Sequence, residues 1–335
     1  MKKIFLFIIL LALPLIAQDK NENTPSFFDD SEVKEYALKS IIVDGEVENP
    51  GAVDLTSLPL HGFPMKNLTY GTDKNKFIGA YFVSGYSLFN IINTKKIKKA
   101  NEEEFKPAVD LYVVVENDKG EKTVFSWGEI FYSKNNFDAI ITKTVGAINP
   151  GKMKIKWPLP EVSQVVCSND AFNFRNITNP VKITVKSFAG NYSKDRVKET
   201  YSPEIKIVKG ENNFVIKDAA GTETRKFRGI SYGHGRGWKG MDDVEGFVFA
   251  SALQKNIKLD MDEIRNTILC VSAKDGYRAT YSLSEIINRN DMNDFLLIEK
   301  NGATDDGRFN LFATPDFFVD RNVRSVEKIE FLKIK

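Results

Sequence analysis

The chain has 335 residues, 42% of them hydrophobic and 12% aromatic, ample for folded cores. Its 47 basic and 45 acidic side chains leave a net charge of +2, which carries neither a nucleic-acid signature nor a membrane-surface one. The start is a targeting signal over residues 1–17. Lys2 and Lys3 precede an apolar run from Ile4 to Ile16, and Ala17 offers a small residue at a cleavage point before Gln18. That run is short of the roughly 20 residues a membrane span needs, so it reads as a signal peptide, with an uncleaved anchor as the competing reading. The expected location is periplasmic or extracellular, with no membrane span after signal removal. Residues 18–38 are mostly polar and read as a tether.

Two stretches of similar order follow, 39–188 and 202–335, joined by a polar linker at 189–201. In the first, Ser40 to Asp44 is strand-like and Asn49-Pro50-Gly51 is a turn. Leu68 to Gly85 is a β-run ending in Tyr70-Gly71 and entering a charged loop. A short helix is expected near Ser87 to Asn93, and the lysines Lys95, Lys96, Lys98 and Lys99 read as its solvated end. Leu111 to Phe131 is a hairpin turning at Asp118-Lys119-Gly120 and feeding a capping box, Ser126 with Glu129. Phe172 to Phe188 closes with an alternating strand.

The second stretch repeats this order. Ile205 to Val208 and Asn213 to Ile216 flank Gly210, Ile230 to Gly246 holds Tyr232-Gly233, and a helix is expected at Phe249 to Asn256. Asp260 to Asn266 adds a helix capped by Asp260 and Glu263. Ile268 to Ile287 is the second hairpin, with Asp275-Gly276 at its turn and the box Ser282 with Glu285. In the closing run Phe318 to Ile334, Arg321, Asn322, Lys328 and Ile329 answer Arg175, Asn176, Lys182 and Ile183, and Asp316 answers Asp170.

This order resembles the molybdopterin-binding domain of sulfite-oxidase-type oxidoreductases in their short exported form. The carrying segments are Ser84-Gly85-Tyr86-Ser87-Leu88, Asp275-Gly276-Tyr277, Phe309 to Phe312 with Asp316, and Arg321-Asn322-Val323. The resemblance implies an α+β fold: two tandem domains of this type, each with a mixed β-sheet and short helices. It also implies molybdopterin as a cofactor, but the family's metal-binding cysteine is replaced by Tyr70-Gly71 in one copy and Tyr232-Gly233 in the other. A soft metal centre needs a thiolate, which neither pair supplies. The expectation is therefore a binding protein without catalytic or metal-ligating residues and with no bound cofactor, a molybdopterin-dependent oxidoreductase being the alternative.

The candidate ligand site is Tyr232, Gly233, His234, Gly235, Arg236, Gly237 and Trp238, with Arg321. Alternating glycines free the backbone amides to form an anion-binding concavity, Arg236 adds a planar fork for carboxylate or phosphate, and Trp238 offers a stacking face. The plainer alternative is a tight loop with Trp238 as a core anchor and Arg236 solvated. Arg175 and Arg321 either face a ligand or cap a loop. His61 has no metal-ligand spacing to another His or to Cys. Cys167 and Cys270 lie in β-type runs and are expected to be reduced and buried. The partner implied is a small anionic ligand or a protein, and not a nucleic acid.

Overall fold

Short apolar runs bounded by glycine and asparagine turns become strands here far more often than helices. A computed structural model describes residues 32–151, 155–192, 201–300 and 307–335. The targeting signal, most of the tether and the linker residues 193–200 lie outside them. The first half runs β1 (Val33–Glu35), β2 (Ser40–Gly45), β3 (Gly51–Asp54), β4 (Leu60–Thr69), β5 (Lys76–Ser87), α1 (Leu88–Asn93), β6 (Leu111–Asn117), β7 (Lys122–Ser126), α2 (Trp127–Phe131), β8 (Ala139–Ala147), β9 (Val165–Cys167) and β10 (Pro180–Ser187). The second runs β11 (Ile205–Lys209), β12 (Asn212–Ile216), β13 (Thr224–Gly233), β14 (Gly237–Val248), α3 (Phe249–Asn256), β15 (Thr267–Ala273), β16 (Arg278–Ser282), α4 (Leu283–Ile287), β17 (Leu296–Glu299), β18 (Phe309–Phe312) and β19 (Val326–Lys333).

The expectation of two tandem α+β domains of sulfite-oxidase type is overturned. The fold is mostly β, 47% strand against 14% helix, and its four small sheets are arranged as a four-bladed β-propeller. Both serines cap their helices, Ser282 in a complete capping box and Ser126 by accepting from the Glu129 amide alone, but the helices have only five residues, too short to make a layer. The segment at Asp260 is likewise one 3-10 turn, Met261–Glu263. Val33–Glu35, expected in the tether, pairs with β8. No helix among the described residues is long and apolar enough to cross a membrane.

Strand order recurs between the halves. One sheet of each is β3-β2-β10-β6-β7 and β12-β11-β19-β15-β16, with a parallel pair, β2 with β10 and β11 with β19, amid antiparallel neighbours. Lys182 and Ile183 pair across from Ile42 and Val43, as Lys328 and Ile329 do from Lys206 and Ile207. The other two sheets centre on the ribbons β4–β5 and β13–β14.

The halves are not independent bodies. Tyr112, Val114, Val124 and Phe188 share one apolar cluster with Ile268 and Cys270, and Val109 sits in the main core of the second half. Thr280 Oγ1 donates to the Leu111 carbonyl at 2.6 Å, and the Val124 amide donates to Arg265 O at 3.0 Å. Lys99, expected on a solvated face, is buried at the same seam, where it pairs with Asp110 at 2.7 Å and donates to the carbonyls of Phe105 and Pro107. An ammonium is buried only when paired and hydrogen-bonded, and Lys99 meets both conditions.

Candidate functional site

The ribbon β13–β14 carries seven of the eight sequence-derived site residues. Its strands pair from Thr224↔Phe247 to Gly233↔Gly237, with a register shift between Ser231 and Tyr232 that leaves Lys239 as an extra residue. Gly237, at φ +68°, closes the turn over His234, Gly235 and Arg236, a conformation that side chains resist. Only Phe247 and Val248 of β14 pair with β17, so among the described residues the ribbon projects with two open edges.

On the outer face, Arg228 pairs with Asp243 at 2.8 Å and Lys226 with Glu245 at 3.2 Å. Nearer the tip that face turns apolar, with Ile230 opposite Met241 and Tyr232 opposite Trp238. Trp238 is 63% exposed, so it is not a core anchor. Tyr232 lies 5.8 Å from the Phe317 ring, and His234 meets Phe318 edge-on at 5.1 Å.

The tip is held down by a carboxylate of the chain itself. The His234 amide donates to Asp320 Oδ2 at 2.7 Å, so one N–H of the expected anion concavity already has its anion. Arg236 and Lys239 instead overhang a groove of about 680 Å³ on the inner side of the ribbon. Ser231, Asp242 and Val244 form one wall, and Ile298, Asn310 and Phe312 of β17 and β18 form the other. Tyr277 and Asp320 close one part of it, the Tyr277 hydroxyl donating to the Asp320 carbonyl. Burial pushes the Tyr277 phenol upward, so it stays a neutral donor. Cationic side chains over a partly apolar floor suit an anionic group on an apolar body.

Arg321 does not belong to that site. It is fully buried, and its guanidinium is turned into the centre of the molecule. It makes a two-point contact with Asp316, at 2.7 and 2.6 Å, and reaches Glu285 at 3.0 Å and Ser126 Oγ at 2.9 Å. Arg175 repeats the arrangement with Asp170, at 2.9 and 2.6 Å, and with Glu129 at 2.6 Å. The two sets are crossed: Ser126 Oγ donates to Glu285 at 2.6 Å, and Ser282 Oγ donates to Glu129 at 3.0 Å. Each capping serine thus donates to the glutamate at the other half's helix start.

Four carboxylates share two guanidiniums in this network. Burial, offset in part by Arg175 and reinforced by Glu285 and Asp170, raises the Glu129 carboxyl to about 7. Burial also raises Asp316 above the usual carboxylate range. The D-x4-R recurrence and the two S-x-x-E boxes were visible in the sequence; that they interlock was not.

The implied molybdenum centre does not fit these residues. Tyr70 and Tyr232, which the resemblance set in place of a metal-binding cysteine, stand near ribbon tips, and both cysteines are free, buried and remote in topology from the groove. Burial pushes the Cys167 thiol well up and the Cys270 thiol to about 12, and Tyr192 Oη donates to Cys270 Sγ at 3.2 Å. Thiols held in the protonated form are poor metal ligands. His61 is a packing residue, stacked on Phe137 at 3.7 Å with Nε2 against the Asn90 amide at 2.9 Å. Among the described residues no group of three or more His, Cys, Asp or Glu side chains is placed to hold a metal ion. No protein-family model matches the sequence, and no curated protein matches it significantly.

Proposed function

We propose that this is an exported binding protein whose ligand site is the groove beneath the β13–β14 ribbon, and that it takes an anionic ligand there. The observation that carries the reading is the placement of Arg236 and Lys239 over an open groove with an apolar floor at Val244, Ile298 and Phe312. A guanidinium at such a rim offers a two-point grip on carboxylate or phosphate, and the floor accepts an apolar body. Export rests on Lys2 to Ala17 in the sequence. A protein partner is a second reading, supported by the exposed outer face Ile230, Tyr232, Trp238 and Met241.

The test is thermal unfolding of the purified protein with inorganic phosphate, citrate or benzoate. A ligand at a hundred times its dissociation constant stabilises the folded state by about 2.7 kcal/mol, a readily measured rise in Tm. At least one of these anions should raise Tm in the wild type and not in Arg236→Ala. An equal rise in both proteins, or none with any anion, would refute the site.

A further inference from the structure

The two ribbons can be compared residue by residue, because both carry the same bulge. The register of β4–β5 shifts between Asn67 and Leu68, as that of β13–β14 shifts between Ser231 and Tyr232. Asn67 therefore answers Ser231 and Leu68 answers Tyr232. The shared Tyr-Gly pair of the sequence is offset: Tyr232-Gly233 lies inside β13, whereas Tyr70-Gly71 lies beyond the end of β4. On this register Tyr81 answers Asp242 and Val83 answers Val244, while Val166 of β9 answers Phe312 of β18.

In the first half the surface so defined is covered by the chain itself. Trp157 and Leu159 pack against the apolar cluster that includes Tyr81, Val83 and Val166. The Tyr81 hydroxyl donates to the Pro158 carbonyl at 2.7 Å, and the Tyr36 hydroxyl to the Pro160 carbonyl at 2.7 Å. Trp157-Pro158-Leu159-Pro160 has no regular secondary structure, and two of its carbonyls are gripped by tyrosine hydroxyls. Alongside it, the edge of β5 from Tyr81 to Ser84 is paired with Ala147 to Thr144 of β8.

In the second half the matching residues, Asp242, Val244 and Phe312, line the groove. Among the described residues, β14 from Asp242 to Glu245 has no strand on that side. Five strand steps separate Lys239 from Val244, about 17 Å of wall, which is longer than a single phosphate or carboxylate requires.

We propose that this groove receives an extended, proline-containing polypeptide segment of a partner protein, seated as Trp157–Pro160 is seated in the first half and carrying an acidic end. The inference rests on the reading of the groove as the binding site and specifies its ligand as a polypeptide. Apolar residues of the segment lie on Val244 and Phe312, where the groove's side-chain pockets supply selection. Its acidic end meets Arg236 and Lys239. The Asp320 carboxylate, which accepts from the His234 amide, keeps its negative charge at the groove. With Asp242 and Asp275 in the lining it disfavours a chain acidic throughout, so one charged end is selected.

The test is fluorescence anisotropy with the full chain and a labelled Glu-Glu-Trp-Pro-Leu-Pro peptide. Its controls are Lys-Lys-Trp-Pro-Leu-Pro and inorganic phosphate followed by thermal shift. Saturable binding of the acidic peptide is expected, weakened tenfold or more in the Arg236→Ala/Lys239→Ala variant at unchanged Tm, and at least tenfold weaker for the lysine peptide. Equal binding of the two peptides, or equal binding by wild type and variant, overturns the proposal. If phosphate stabilises the wild type through Arg236 while the acidic peptide does not bind, the polypeptide inference fails and the anion site stands. If neither binds, both fail.

Discussion

Replacing Arg321 by Ala should be among the most damaging single changes in this protein. The side chain is fully buried, and three side chains converge on it: Asp316 at two points, Glu285 and Ser126. Its removal leaves two carboxylates buried with one guanidinium fewer between them. Breaking a buried ion pair by deleting one partner costs roughly 3–5 kcal/mol, because the surviving charge is left uncompensated. The loss of aliphatic packing against Gly128 and of the Tyr281 ring face, 4.8 Å from the guanidinium carbon, adds to this. Urea denaturation followed by circular dichroism would read the change as a shift in midpoint. Arg321→Lys, which keeps the charge but loses the planar fork, should fall between wild type and Arg321→Ala and provides a folded comparison if the alanine variant does not accumulate. By contrast, Arg236→Ala should change stability by no more than about 0.5 kcal/mol, as expected for an exposed side chain. A loss below 1 kcal/mol in Arg321→Ala would refute the account of the central network.

Three further outcomes follow from the same structure. Glu129 binds its proton more tightly in the folded state, about 7 against an ordinary 4.5, so the fold holds more protons than the unfolded chain between those values. The stability contributed by this proton should be fully present below pH 4.5 and be lost, by at most about 3 kcal/mol, as pH rises through 7, a slope between pH 5 and pH 8 that Glu129→Gln should flatten in urea titrations. Gly128→Ala should destabilise by about 1–3 kcal/mol, since its Cβ would stand 2.1 Å from the fixed Arg321 side chain; an unchanged midpoint would show that this packing yields freely. Cys167 and Cys270 should resist thiol reagents in the folded protein and both react in denaturant without reductant, whereas a count of zero would reveal a disulfide.

Local signals in the sequence were legible, and their long-range consequences were not. Asp118-Lys119-Gly120 and Asp275-Gly276 form the two hairpin turns, with Gly120 and Gly276 at φ +80° and +86°, because such turns are decided by their own few residues. Ser126 and Ser282 cap helices for the same local reason. A capping box states where a helix begins and says nothing of its length, so it does not distinguish an α+β fold from this mostly β one with helices of a single turn. Lys99 and Arg321 carry charge, which argues for solvent until a partner is known, and their partners include residues as far along the chain as Asp110 for Lys99 and Ser126 for Arg321. The cluster Tyr232 to Trp238 was readable from glycine spacing. The groove beside it was not, because its walls come from β14, β17 and β18, which only the fold brings together.

The claim that Arg236, and not Arg321, serves a ligand groove beneath the β13–β14 ribbon is tested most directly by amide NMR of the isotopically labelled protein during titration with inorganic phosphate. Chemical-shift changes should be confined to the tip residues His234 to Lys239 and to Asp242, Val244 and Asn310, and should vanish in Arg236→Ala. Changes centred elsewhere, or an unaltered response in that variant, would contradict the account.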